Sequence, residues 1–250
     1  MRREFIYPHR SVRTFPISGK RVYVALAIAA LVCAAVLFFS SAILDFHSRL
    51  VQSILSLCNL PVSGSRYIEI FSFLKPVTAS IIAIPQYQGN FWRFIVPLSI
   101  TVAMLILIYR MIPLGRSFIV FLMTLLCAAS VVVIVNPAFQ FGSAAYEQTW
   151  VRAEFLVWIL LPWVSSLLFA FTIPSPYQAF AWGLLLQVYS VACSAVRLVF
   201  CLGVFHYTGI VFLPMLWFCL GVLFDLVYIM VFYSFALRFS MRHALGERKS

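Results

Sequence analysis

Six stretches of this 250-residue chain are apolar for long enough to cross a lipid bilayer: 22–44, 91–111, 118–135, 155–173, 179–205 and 210–237. A crossing helix takes about 20 mostly apolar residues, because with water gone every backbone N–H and C=O must find a partner inside the protein. A water-soluble fold is excluded by composition: 64% of residues are hydrophobic and only 10% charged, whereas roughly a quarter of a soluble domain is charged. The expected fold class is therefore all-α, a polytopic membrane helix bundle of about six transmembrane helices, with one membrane domain over 22–237. Helix breakers and charge fall where these helices should stop: Pro113 and Gly115 beside Arg110 and Arg116, then Asn136 and Pro137, then Pro174 and Pro176.

Orientation follows from the basic residues. Arg2, Arg3, Arg10, Arg13, Lys20 and Arg21 precede the first span, Arg110 and Arg116 link the second to the third, and Arg238, Arg242, Arg248 and Lys249 follow the sixth. In a six-span chain these regions share one side, which the positive-inside rule makes cytoplasmic. The expectation is N-in and C-in, with basic tails at 1–21 and 238–250, in a cell inner membrane. The net charge of +11 then reads as a topology signal reinforced by anionic lipid. Its cations flank apolar runs and form no basic reading face, so the expected partners are the lipid bilayer and other membrane or envelope proteins, with no nucleic acid. The apolar part of the first span is longer than the 7–15 residues usual in a signal peptide, so an uncleaved span is expected.

The longest piece outside the spans, 45–90, is expected on the outer side. Leu50, Ile54 and Leu57 recur at helical spacing and predict an amphipathic helix along the interface. Residues 67–73 predict a short strand. Residues 77–84 are apolar but too short to cross and are bracketed by Pro76 and Pro85, which suits a segment dipping into the membrane or packing on the spans. Cysteine points to no redox or metal chemistry: Cys33, Cys127, Cys193, Cys201 and Cys219 fall within spans, there is no CxxC, and no His/Cys cluster has ligand spacing. Neither a metal nor a cofactor is expected.

Chemistry is sought where ionisable groups would be costly in lipid. Only Arg197 and Asp225 fall well inside the spans. Gly183, Gln187, Ser190, Ser194, Arg197 and Cys201 recur at three- and four-residue steps, which gives the fifth span one small, polar face. Two readings of that face stay open. In one, small and hydroxyl residues let helices approach and hydrogen-bond across the bundle while Arg197 snorkels outward. In the other, the face lines a polar cavity open to the outer side, with His206 at its mouth. A hairpin turning near Thr208 places Asp225 about seven residues, roughly 10 Å, out of step with Arg197. Asp225 is accordingly expected at the level of Tyr189 and Ser190, with Tyr228 one turn away, either as a neutral hydrogen-bonded acid or as a proton relay.

The stretch Arg197-Leu198-Val199-Phe200-Cys201-Leu202-Gly203-Val204-Phe205-His206-Tyr207-Thr208-Gly209 resembles the part of exosortases and archaeosortases in which a key arginine opens an apolar run ending in a His-Tyr-x-Gly-like turn. Leu60-Pro61-Val62 adds to the likeness. The resemblance implies a multi-pass protein with a Cys-Arg-His site on the outer face and cysteine chemistry that cleaves and transfers sorted surface proteins. The family's nucleophile precedes the arginine in a Glu-x-Cys-Ser-Gly-like motif. Here the corresponding neighbourhood reads Arg152-Ala153-Glu154-Phe155-Leu156-Val157-Trp158, without cysteine. Cys193-Ser194-Ala195-Val196-Arg197 imitates that motif instead, so the catalytic candidates are Cys193, Arg197 and His206.

Three functions follow from these readings. The chain is a non-catalytic subunit or scaffold of an envelope assembly, an exosortase-like transpeptidase in intact or degenerate form, or a small transporter or channel built around Gln187, Arg197 and Asp225. Transport is disfavoured by the lack of an inverted repeat or of paired broken spans.

Overall fold

A computed structural model describes residues 19–72, 74–82, 116–135, 142–173, 175–208 and 212–246, together with the single positions 99, 103 and 106. Its helices are α1 (Gly19–Phe38), α2 (Ser40–Leu57), α3 (Arg116–Val135), α4 (Ser143–Thr172), α5 (Pro176–Thr208), the single turn α6 (Leu213–Leu216) and α7 (Phe224–Gly246). A π-helical stretch, Trp217–Leu223, joins α6 to α7 into one long last helix. Among the described residues, four helices are long and apolar enough to cross a membrane: Gly19–Phe38, Ser143–Ala170, Pro176–Tyr207 and Leu213–Phe239. The apolar part of α3, Ser117–Val132, is shorter. Apart from the three single positions, the second expected span, 91–111, lies outside the described residues.

The sequence explains why these rods run so long. α1 is built from alanine, leucine and valine, and α4 continues through Pro162 without ending. A proline in a helix removes one N–H and so frees the carbonyl four residues back. The Trp158 carbonyl freed in this way accepts a hydrogen bond from Gln187 Nε2 of α5 at 3.0 Å. Membrane helices tolerate proline when a neighbouring side chain satisfies the freed group in this manner. The polar face of α5 thereby begins to dock on α4.

α1 runs antiparallel to α4: Lys20 and Arg21 open a cleft whose far walls are Ile173 of α4 and Pro176 of α5. This is the basic end of the bundle. The opposite, capped end carries α2 and a small antiparallel sheet of β1 (Val62–Ile68) and β2 (Val77–Ile82), with Val62 opposite Ile82 and Ile68 opposite Val77. The described chain is mostly helical, in keeping with the all-α expectation, and this two-stranded sheet is its one β element among the described residues. Of the described residues in the strand expected at 67–73, only Tyr67 and Ile68 lie in a strand, β1, which starts earlier, at Val62. Of the apolar 77–84 segment, Val77–Ile82 is the partner strand and packs on α4, the second of the two alternatives, in place of a dip into lipid. One edge of β2 faces α4, where Glu147 Oε2 accepts from the Ser80 N–H and Ser143 Oγ accepts from the Ile82 N–H, each at 3.0 Å. Side chains of α4 thus complete an edge that would otherwise have no partner.

α2 is amphipathic as expected, with Leu50 and Ile54 half-buried against the core, but its most buried line is offset from them. Leu44, His47, Ser48, Val51 and Leu55 are buried, while Leu57 is exposed. The helix packs on α5 and β2, and Ser48 Oγ donates to the Thr78 carbonyl at 2.6 Å, so a protein surface and not the headgroup layer selects its stripe. The main core gathers at this end, around Val51, Leu55, Ile70, Ala79, Trp150, Phe155, Trp158, Leu198 and Leu202. A smaller cluster, which includes Leu161, Phe169, Leu186 and Tyr228, fills the basic half. Outward positions are apolar as well: Leu156, Leu160, Phe200, Leu226 and Met230 are all exposed. Apolar surface on this scale suits a lipid solvent and not water.

α3 sits differently from the six-span expectation. Phe118 and Phe121, in its first turns, stack on Phe218 at centroid distances of 6.3 and 5.0 Å. Phe218 lies five residues from the Leu213 start of the last helix, so the first turns of α3 engage the capped half of the bundle.

Candidate functional site

Three ionisable residues meet inside the bundle because they stand at one level on three helices. Glu154 is eleven residues into α4, Arg197 eleven residues before the end of α5, and Asp225 twelve residues beyond Leu213. Arg197 Nη2 donates to both carboxylate oxygens of Glu154, each at 3.0 Å. Nη1 donates to the carbonyls of Leu220 and Gly221, and Asp225 Oδ1 lies 2.7 Å from it. At that distance the Arg197–Asp225 contact is a close, buried ion pair. Rings enclose the guanidinium: its carbon lies 5.2 Å from the centroid of Phe224 and 5.8 Å from those of Trp150 and Tyr228. The Arg197 side chain is only 4% exposed.

The π-helical stretch has a role here. Its i→i+5 bonding fits more residues into each turn than an α-helix and turns carbonyls away from their usual partners. Leu220 and Gly221 belong to this stretch, and their carbonyls complete the ring of acceptors around Nη1. Such stretches are rare and are frequently found at functional sites.

Two expectations are overturned. Arg197 does not snorkel outward, and Asp225 is its direct partner. The estimated offset placed the turn at Thr208, whereas α5 ends there and the next helix begins at Leu213. The centre of the hairpin therefore lies beyond Thr208, which cancels the calculated mismatch. Tyr228 instead meets the level assigned to Asp225: its hydroxyl lies 2.9 Å from Ser190 Oγ, and its ring packs on Tyr189.

Glu154 was missed because it stands one residue before the expected fourth span, 155–173, and so reads as charge in the link ahead of that span. The helical signal was present: Glu147, Trp150, Val151, Glu154, Trp158 and Leu161 recur at three- and four-residue steps, and all are buried on one face of α4. Arg152 does not balance those acids. It lies on another face and donates to the carbonyls of Ile70, at 2.6 Å, and Glu69, at 3.0 Å, holding the capping hairpin.

The polar face of α5 is packed and bonded. Gln187 binds Trp158, Ser190 binds Tyr228, and Ser194 Oγ accepts from Trp150 Nε1 at 3.3 Å. All three residues are buried, so cross-helix hydrogen bonding fits them and a cavity lining does not. Of the catalytic candidates, Cys193 and His206 are not brought together. Both lie on the same unbroken helix, thirteen residues apart, which at helical rise is about 20 Å. Cys193 is half-buried and within hydrogen-bond reach of Tyr189. His206 stacks on Tyr207 near the end of α5, at a centroid distance of 4.9 Å.

His47 was not singled out from the sequence. It is buried in α2 with its ring 5.5 Å from Trp158, and Nε2 has no hydrogen-bond partner. Burial, helped by the nearby charge of Arg197, pushes its pKa down to about 4. It is therefore a neutral imidazole at physiological pH. Among the described residues, no group of three or more His, Cys, Asp or Glu is placed to hold a metal ion.

An apolar exterior, four helices of crossing length and an ion cluster bonded wholly within the bundle define a helical membrane protein. No family model, no curated protein and no solved structure matches the chain.

Proposed function

We propose that this chain is a non-catalytic multi-pass protein of a cell inner membrane, with both termini cytoplasmic, acting as a scaffold or subunit of an envelope assembly. The observation that carries this reading is that Arg197, Gln187 and Ser190 of α5 each bond to a neighbouring helix. Arg197 is held by Glu154, Asp225 and two carbonyls, Gln187 by Trp158, and Ser190 by Tyr228. Acyl transfer at cysteine requires a base or cation within hydrogen-bond reach of the thiol. Cys193 and His206 lack that proximity, and the guanidinium of Arg197 is already engaged. Loss of surface-protein processing in Cys193→Ala would nonetheless restore the exosortase-like reading.

Co-purification in mild detergent tests the scaffold role. A stoichiometric membrane or envelope partner is the expected result, and a lone chain after in-cell cross-linking would sink it. Six crossings with N-in and C-in are part of the proposal. The antiparallel α1 and α4 require an even number of crossings between them, which two spans within 91–135 supply. The stacking of Phe118 and Phe121 on Phe218 opposes this count. A reporter fused at Pro113 decides: cytoplasmic under six crossings, exported under four.

One observation favours transport as a second reading. Two carboxylates, Glu154 and Asp225, face one guanidinium, so the cluster holds a surplus acid able to exchange a proton. Proton-dependent flux in liposomes, abolished by Asp225→Asn, would establish it.

A further inference from the structure

Away from the ion cluster, the basic end of the bundle holds a cleft of about 360 Å³ between α1, the end of α4 and the start of α5. That volume lies within the range of small-molecule sites. Small residues from all three helices line it: Ala25 of α1, Ala170 of α4 and Gly183 of α5. A Cβ at Gly183 would touch Ser165 Oγ at 3.7 Å, so any larger side chain would grow into the cleft. The walls are hydrocarbon, with Ile28 and Val32 on one side and Phe180 and Leu184 on the other. The mouth is cationic. Lys20 and Arg21 are exposed there, and among the described residues no acidic side chain lines the cleft.

The first turn of α5 also opens at this mouth. Pro176, which has no N–H to satisfy, begins the helix, and Ala179 donates to the Ser175 carbonyl. The positive end of the helix dipole therefore points where Lys20 and Arg21 already concentrate charge. An apolar slot running along the bundle with two cations and a helix N-terminus at its lip matches one occupant: a molecule with a hydrocarbon tail and an anionic head at the depth of the headgroup layer. A zwitterionic lipid offers the same phosphate but brings its own ammonium against Lys20 and Arg21, so the cations favour a head of net negative charge. A free phosphate would leave the slot empty, and a second copy of this chain would bring its own Lys20 and Arg21 against the first pair.

We propose that this cleft is a specific site for an anionic glycerophospholipid, with an acyl chain between α1 and α5 and the phosphate held by Lys20 and Arg21. The inference stands independently of the scaffold reading, since it concerns the other end of the bundle and needs no protein partner.

The test is native mass spectrometry of the full chain in mild detergent, titrated separately with phosphatidylglycerol, phosphatidylcholine and inorganic phosphate. One phosphatidylglycerol should be retained in preference to phosphatidylcholine by roughly tenfold, as two headgroup cations allow. Lys20→Gln with Arg21→Gln changes two exposed residues, should leave thermal stability intact, and should erase that preference. Gly183→Leu should reduce retention of both lipids with the cations unchanged. Equal retention of the two lipids by the unaltered chain, a preference that survives loss of both cations, saturation by inorganic phosphate alone, or a dimer in place of a lipid adduct would each overturn the proposal.

Discussion

Gln187 reaches across from α5 to the one carbonyl of α4, that of Trp158, which Pro162 leaves without its helical donor. The pairing makes a linked prediction. Gln187→Leu orphans a buried carbonyl, and a group of that kind costs about 1–3 kcal/mol. In a Pro162→Ala background the restored N–H takes up the carbonyl, so the same Gln187→Leu change should cost much less. Thermal unfolding in detergent of the two single variants and the double variant measures the coupling. Equal losses in both backgrounds would show that the glutamine serves some other purpose.

The ion cluster should be fragile to partial removal and tolerant of complete removal. Arg197→Met leaves Glu154 and Asp225 buried without their cation, and breaking a buried pair in this way costs about 3–5 kcal/mol. Replacing all three, as Glu154→Gln with Arg197→Met and Asp225→Asn, should recover most of that loss, because matched neutral groups need no counter-charge. Arg197→Lys should behave like a partial loss: an ammonium is a point charge and cannot reach Glu154 and the carbonyls of Leu220 and Gly221 together. Chemical denaturation of the four proteins orders them. If the triple variant is the least stable, the triad is not the isolated unit its bonding describes.

His47 makes stability depend on pH. Its pKa lies at about 4 in the folded protein against an ordinary 6.5, so between these values the unfolded chain binds a proton that the folded chain refuses. Stability is therefore fully present above about pH 6.5 and falls as the pH drops toward 4, by at most about 3 kcal/mol in total. His47→Phe keeps the ring against Trp158 and removes the titration, and should flatten this part of the profile. Melting temperatures from pH 4.5 to 7.5 for the two proteins make the comparison, and parallel profiles would assign the effect to other groups.

Much of this organisation was legible in the sequence where one solvent decides everything. Long apolar runs must be helices in lipid, so the crossing-length helices and the polar periodicity of α5 followed directly. What depends on the meeting of distant elements was not legible. Glu154 looked like loop charge because its burial rests on Arg197, forty-three residues later. The offset of Asp225 hinged on where a turn is centred and on a π-helical stretch that no periodicity announces. For the strand Val77–Ile82 a membrane dip and packing on the spans stayed open, since a short apolar run is the same string whether lipid or a neighbouring helix covers it.

That strand supplies the last prediction. Two of its N–H groups, on Ser80 and Ile82, are satisfied by Glu147 and Ser143 of α4 and not by another strand. Glu147→Leu has a similar reach but no acceptor, so the Ser80 N–H would be left buried and unbonded at about 1–3 kcal/mol. The damage should be local, because Arg152 and Gln148 still hold the carbonyls of Ile70 and Glu69. Amide hydrogen exchange is the suitable measurement: residues 77–82 should exchange faster while the middle of α5 stays protected. Ser143→Ala should produce a smaller effect confined to the Ile82 end, where the Ser143 hydroxyl supplies the acceptor. Uniform acceleration across the whole bundle would mean that this edge is part of the global fold and not a docked cap.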